Sequence, residues 1–191
     1  MKTSHFKPLA LLAAILLPLA GFAQVNSGSN GSDGAFNPTQ NVTINMADHP
    51  TGIYQYTSVN IPQGVTVSFT PNANNTPVVW LVQGDCTIGG LVDVSGQLPS
   101  YRSPAGAIGG PGGYRGGDHS VPGAGPGGGP VGANYGGGGS YGTLGVTTFG
   151  PAGVTYGNAF ILPLLGGSGG GGSNSEGAGG GGGAILIAAT G

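Results

Sequence analysis

The chain has 191 residues, 45 of them glycine and 15 proline, and its four lysines and arginines face six aspartates and glutamates. Against a usual glycine content of ~7%, this composition belongs to low-complexity linkers, fibrous proteins or folds whose backbones approach closely. The scarcity of bases excludes nucleic acid as a partner, because phosphate binding needs several neutralising cations. The single cysteine, Cys86, excludes an intramolecular disulfide framework.

Residues 1–23 have the three parts of a secretory signal peptide. Lys2 and Lys7 form a positive start, Leu9 to Leu19 an apolar run, and Gly21-Phe22-Ala23 a small-residue cleavage site before Gln24. The apolar run is short beside the roughly 20 residues that a membrane span takes. No later stretch is long and apolar enough, so no membrane span is expected after signal cleavage. The expected location is secreted, extracellular or at the cell surface. Both lysines leave with the signal, and Arg102 and Arg115 remain as the only strong bases. That excludes a polybasic membrane patch as well.

Residues 24–35, rich in Asn, Ser and Gly, have the composition of a flexible leader. Residues 36–98 form a β-strand region. Val42 to Met46, Val59 to Ile61 and Val65 to Phe69 alternate apolar and polar positions, and Cys86 to Ile88 and Leu91 to Val94 are short runs behind glycine turns. Val78 to Val82 is continuously apolar, as in a strand buried on both faces. Breakers such as Pro62-Gln-Gly64, Gly84-Asp85 and Gly89-Gly90 separate the runs, which is the pattern of strands and not of helices. The short, close spacing suits the rungs of a β-solenoid.

From 99 to 183 glycine dominates. Gly106, Gly109 and Gly112 fall three apart, as do Gly110, Gly113 and Gly116. A period of three is that of polyproline II. The region is expected to be either packed glycine-rich strands or a disordered tract. The apolar islands Tyr141 to Tyr156 and Phe160 to Leu165 favour order. Residues 184–190 form a terminal β-strand, whose exposed edge would invite self-association. With no segment to cap it, the chain reads as a fragment.

Several of these motifs together resemble a known group of proteins. They are Ser32-Asp-Gly-Ala-Phe-Asn-Pro38, Ile61-Pro-Gln-Gly-Val-Thr-Val-Ser-Phe69, Asn75-Thr-Pro-Val78, Gly84-Asp-Cys-Thr-Ile88, Val92-Asp-Val-Ser-Gly96 and Gly183-Ala-Ile-Leu-Ile187. The set resembles the N-terminal part of bacterial secreted glycine-rich, adhesin-like proteins. The resemblance implies a right-handed parallel β-helix with a glycine-rich insertion between early rungs. It implies no catalytic residue.

Searching the residues for chemistry supports the same expectation. Asp118-His119-Ser120 contains the residue types of a hydrolase triad, but adjacent residues do not converge as a triad must. Gly123-Ala-Gly-Pro-Gly-Gly128 fits a dinucleotide-binding pattern, yet it follows no strand and opens no helix. Asp85 and Asp93 read as turn caps. No catalytic residue, cofactor site or metal site is expected. Tyr114, Tyr135, Tyr141 and Tyr156 are the candidate ligand contacts, either as rings that stack on surface glycans or as rings packed over glycine. The function expected is a structural or adhesive surface protein without catalysis. The alternatives are a fragment of a β-helical carbohydrate-active enzyme and an ice-binding glycine-rich protein.

Overall fold

The computed structural model describes residues 25–148 and 150–191; the signal-peptide reading of residues 1–23 lies outside them. The described chain is all-β and contains no α-helix, only a single 3-10 turn at Met46–Asp48. Its strands are β1 (Gly34–Phe36), β2 (Val42–Asn45), β3 (Ile53–Ile61), β4 (Thr66–Thr70), β5 (Val78–Val82), β6 (Cys86–Ile88), β7 (Leu91–Asp93) and β8 (Ile185–Ala189).

Every strand pairing is parallel. One sheet runs β1-β3-β5-β8, with β6 also on β3, and the other runs β2-β4-β7. The chain therefore passes from one sheet to the other and back, and each return adds a strand beside the previous one. Thr43 meets Ser68 at a separation of 25 residues, and their hydroxyls lie 2.8 Å apart. Asn41 accepts the Thr66 amide at the same separation. β3 is long because it turns a corner. Its Ile53–Tyr56 half pairs with β5 and its Val59–Ile61 half with β6. Between them the buried positions change parity, from Tyr54 and Tyr56 to Val59 and Ile61. The Gly84 amide donates to the Thr57 carbonyl at this bend.

The core lies between the two sheets. Tyr54, Tyr56, Val59, Ile61, Val67, Val78, Trp80 and Val82 point into it and are nearly or wholly buried. Trp80 is fully buried and meets rings from three separate passes of the chain: Phe36 and Tyr56 at 5.7 Å and Phe69 at 6.0 Å. β5 is not buried on both faces as its apolar run suggests. Val79 and Leu81 face outward and are half-buried, because only flanking residues of β3 and β8 shelter that face.

The leader does not stand apart from the strands. Ser27 binds the Thr190 hydroxyl, Gln83 donates to the Ser29 carbonyl, and Asp33 donates from its amide to Gln55. Residues 27–33 thus run across the strand ends from β8 to β3.

The glycine-rich segment is folded, and its order comes from backbone pairing. Gly167 and Gly170 donate to Gly182 and Gly179, Ser168 and Gly171 to Ser140 and Gly137, and Gly169 and Gly172 to Ala124 and Val121. Successive residues of one segment thus serve three different neighbours in rotation, so the segment repeats its bonding every three residues. The same segment accepts from Tyr114 and Gly117 on one side and from Gly129 and Gly132 on another. Such crowding leaves no room for side chains: a Cβ at Gly136, Gly171 or Gly181 would overlap a neighbouring carbonyl. The apolar islands that favoured order in the sequence do not form a core. Leu144, Val146, Val154, Phe160 and Leu162 are all exposed.

Candidate functional site

The four candidate tyrosines separate into two environments. Tyr114, Tyr141 and Tyr156 are half-buried and packed over glycines. A Cβ on Gly125 would strike the Tyr114 ring, one on Gly127 would press on Tyr156, and one on Gly157 on Tyr141. Tyr141 and Tyr156 meet edge to face with centroids 5.1 Å apart. The Tyr156 hydroxyl donates to the Gly166 carbonyl at 2.5 Å. Burial pushes its pKa up, with the nearby Tyr114 and Tyr141 adding to the shift against a hydrogen bond from Ser168. This trio is internal packing: the missing side chain of glycine makes the slot that the ring fills.

Tyr135 is different. Its residue is 61% exposed, at the end of the bundle where the 131–136 loop meets the tight turn 173–176. The two are stitched together by Gly132 donating to Gly172 and Asn174 donating to Ala133. The buried Ser173 hydroxyl accepts the Ser175 and Glu176 amides and closes the turn. From a third loop, Ser120 donates to the Asn174 side chain, and the His119 Nε2 lies 2.6 Å from the Asn174 carbonyl.

A depression of about 290 Å³ opens here, floored by the backbone of Gly136, Gly137, Gly170 and Gly171 and edged by Asn134, Tyr135 and Glu176. A second one, of about 420 Å³, lies against the same three residues and Ser175. Together they make a trough whose walls are side chains and whose floor is main chain. Sequence reasoning identifies Tyr135 here but misses Asn134 and Glu176. The Asn134-Tyr135 pair is visible in the sequence; Glu176 reaches the site only through the long-range pairing of Gly132 with Ser173.

The other polar motifs are engaged in holding the backbone. Asp118 takes the Arg115 guanidinium in two contacts, at 2.6 and 3.1 Å, and accepts the Gly106 amide at 2.7 Å. The hydrogen bonds from Arg115 and then Gly106 hold its carboxyl below the usual range. Asp93 caps the turn into Ser95, as its position suggests, and its pKa falls through the same hydrogen bonds. Burial raises the pKa of the Cys86 thiol, which sits half-buried in β6 opposite Val59. Among the described residues no group of three His, Cys, Asp or Glu side chains is placed to hold a metal ion.

Compared with known proteins, the chain matches no family model, no curated protein and no solved structure. The reading of the site therefore rests on its geometry. No helix among the described residues is long and apolar enough to cross a membrane.

Proposed function

We propose that this is an exported structural or adhesive protein of the cell surface. In this reading the parallel sheets are the first rungs of a β-solenoid, and the glycine-rich bundle is the module it presents. The bundle is the observation that carries the proposal. Its interior is largely main chain hydrogen-bonded to main chain, with Tyr114, Tyr141 and Tyr156 packed over glycines, and several of its large apolar side chains are left for the surface. Phe160 is 85%, Leu162 74% and Val154 69% exposed. Exposed apolar side chains that lie contiguously are a mark of contact surfaces. Asp33, Asp93 and Asp118, half of the chain's acids, are occupied with backbone amides and with Arg115 or His49, which suits a scaffold better than a catalyst.

The test is expression of the full chain with a C-terminal epitope, followed by fractionation and N-terminal sequencing. The expected product begins at Gln24, lies outside the cytoplasm, and makes an inert surface adherent when coated onto it. Full-length protein retained in the cytoplasm would overturn the export reading. Turnover of a polysaccharide by the purified chain would favour the enzyme alternative, and thermal hysteresis the ice-binding one.

A further inference from the structure

We infer that the loop tip made by Ala159, Phe160, Ile161, Leu162 and Pro163 inserts into the headgroup region of a neutral lipid surface, as a shallow anchor and not a span. This rests on the reading of the chain as an adhesive surface protein and gives that surface a partner.

The inference starts from what the tip displays. Residues 158–163 are exposed without a break, and Phe160, Ile161 and Leu162 are 85%, 53% and 74% exposed. A run of consecutive exposed apolar residues is a defect in a folded surface unless it serves a function.

One side chain fixes the shape of the tip from within. Asn158 Oδ1 accepts the Phe160 amide at 2.9 Å and the Leu162 amide at 3.5 Å, and its Nδ2 donates to the Leu162 carbonyl at 2.8 Å. The Asn158 carbonyl accepts the Ile161 amide at 3.2 Å. Ile161 is held at a φ of 53°, a left-handed conformation that a β-branched residue rarely adopts. Strain of this kind persists where the surroundings over-determine the backbone, and it clusters at functional positions. The base of the loop is closed as well. The Tyr156 hydroxyl donates to the Gly166 carbonyl, and the Tyr156 and Gly157 amides donate to the Tyr141 carbonyl.

These bonds favour lipid as the partner. Main-chain amides that enter an apolar medium must bring their hydrogen bonds with them, because no water follows. The amides of Phe160, Ile161 and Leu162 all have their acceptors on Asn158, and Pro163 has no amide hydrogen to satisfy. A protein partner makes no such demand, since it can supply main-chain acceptors of its own. Charge decides which lipid. No Asp, Glu, Lys or Arg lies between Asp118 and Glu176. The tip has no charge to strip of water, and no base to seek the anionic headgroups that polybasic segments bind. So short a tip reaches the boundary of headgroups and acyl chains and goes no deeper.

The experiment is flotation of the chain freed of residues 1–23 with vesicles of phosphatidylcholine, and with vesicles in which phosphatidylglycerol replaces part of it. Binding to both is expected, to a similar extent and unchanged by salt. Phe160→Ser combined with Leu162→Ser should weaken it by about tenfold or more, because two large apolar side chains no longer leave water. Asn158→Ala should weaken it with every apolar side chain still in place, because the Phe160 and Leu162 amides then lose their acceptor. Leu98, 88% exposed and outside the tip, supplies the control: Leu98→Ser should leave binding unchanged. In Phe160→Trp the new indole should shift to the blue when vesicles are added and be quenched by brominated acyl chains, while Trp80, fully buried in the core, gives a constant background. Phosphatidylcholine vesicles left unbound, or bound equally well by the Phe160→Ser, Leu162→Ser variant, overturn the inference. So does a chain that dimerises through those two residues and ignores vesicles, which would make the partner a second copy. If a surface coated with the chain is still adherent in that case, the proposed function stands and only this partner is wrong.

Discussion

At the scale of single residues, the bundle makes neighbouring glycines unequal. Gly181 is buried, and a Cβ there would run into the Gly167 carbonyl. Gly182 is exposed, and a Cβ there would meet nothing within 4 Å. Gly181→Ala is therefore expected to destabilise by about 1–3 kcal/mol, as overpacking against an unyielding neighbour does. Gly182→Ala should instead stabilise by roughly 0.4–1 kcal/mol, because alanine has less freedom to lose from the unfolded chain. Urea midpoints of the two variants check this, and equal shifts would mean that the backbone is not packed here as described. Tyr54 makes a second contrast. It is 3% exposed, and its hydroxyl finds no hydrogen-bond partner among the described residues. Burial first, then Asp33 and Asp48, push its pKa up to about 12 from an ordinary 10.0. A group whose pKa is higher in the folded state contributes fully below the unfolded value and loses that contribution as pH rises through the folded one. Stability should therefore fall between pH 10 and 12, with Tyr54 accounting for about 2–3 kcal/mol of the loss. Tyr54→Phe should keep neutral-pH stability, since it removes an unpaired hydroxyl, and should flatten the alkaline limb of a melting-temperature profile.

At the scale of elements, the join between sheet and bundle depends on Asn75. Its side chain donates to the Gly113 carbonyl at 2.6 Å and accepts the Gly112 amide at 3.3 Å, while its own φ is 47°. Asn75→Gly keeps that left-handed backbone and loses both bonds, a cost of about 1–2 kcal/mol. Asn75→Ala loses the bonds and is also strained, by roughly 1 kcal/mol more. Faster hydrogen exchange at Gly112 and Gly113, larger in Ala than in Gly, is the expected readout. The elements themselves were unevenly legible. Strands β2 and β4 to β8 fall within a residue or two of the alternating runs in the sequence, because turn residues bracket each of them. β1 carries too little pattern in Gly34-Ala35-Phe36. The second half of β3 was visible in the alternation of Val59 to Ile61; its first half and its corner were not, since the bend is set by the β5–β6 turn that packs on it. In the bundle the period of three was readable. The choice of partner was not: Ser168 reaches Ser140 and Gly169 reaches Ala124 through main-chain bonds, which leave no mark on side-chain identity. The candidate site divides in the same way. Four tyrosines stood out, and the glycines beneath Tyr114, Tyr141 and Tyr156 decided that these three are packing.

At the scale of the molecule, the bundle enters and leaves through one door. The Gly183 amide donates to the Val94 carbonyl and the Gly180 amide to Gln97, so the chain returns beside the point where it left. β8 then pairs with β5, as Val82 pairs with β3 one strand earlier. The core between the sheets is built from Phe36 to Val94 together with Ile185, Ile187 and Ala189, and no bundle residue belongs to it. Loop-closure entropy grows slowly, by about 0.6 kcal/mol per doubling of length, so the length of the excursion matters less than what its residues touch. Those touches are mostly main-chain ones: Asn75 with Gly112 and Gly113, Gly112 against Pro77, Gly110 against the Val94 carbonyl, and the Ala184 amide on the Pro111 carbonyl. Replacing residues 97–180 with a short Gly–Ser linker should therefore leave a cooperatively folding β unit, weaker by about 2–4 kcal/mol for the lost hydrogen bonds. Trp80, fully buried and ringed by Phe36, Tyr56 and Phe69, reports on it directly. Its fluorescence should stay that of an indole in an apolar core and shift to the red in a single transition with urea. Emission already red-shifted in buffer would mean that the sheets need the bundle to fold, and that the two are one structure and not a scaffold with a module set into it.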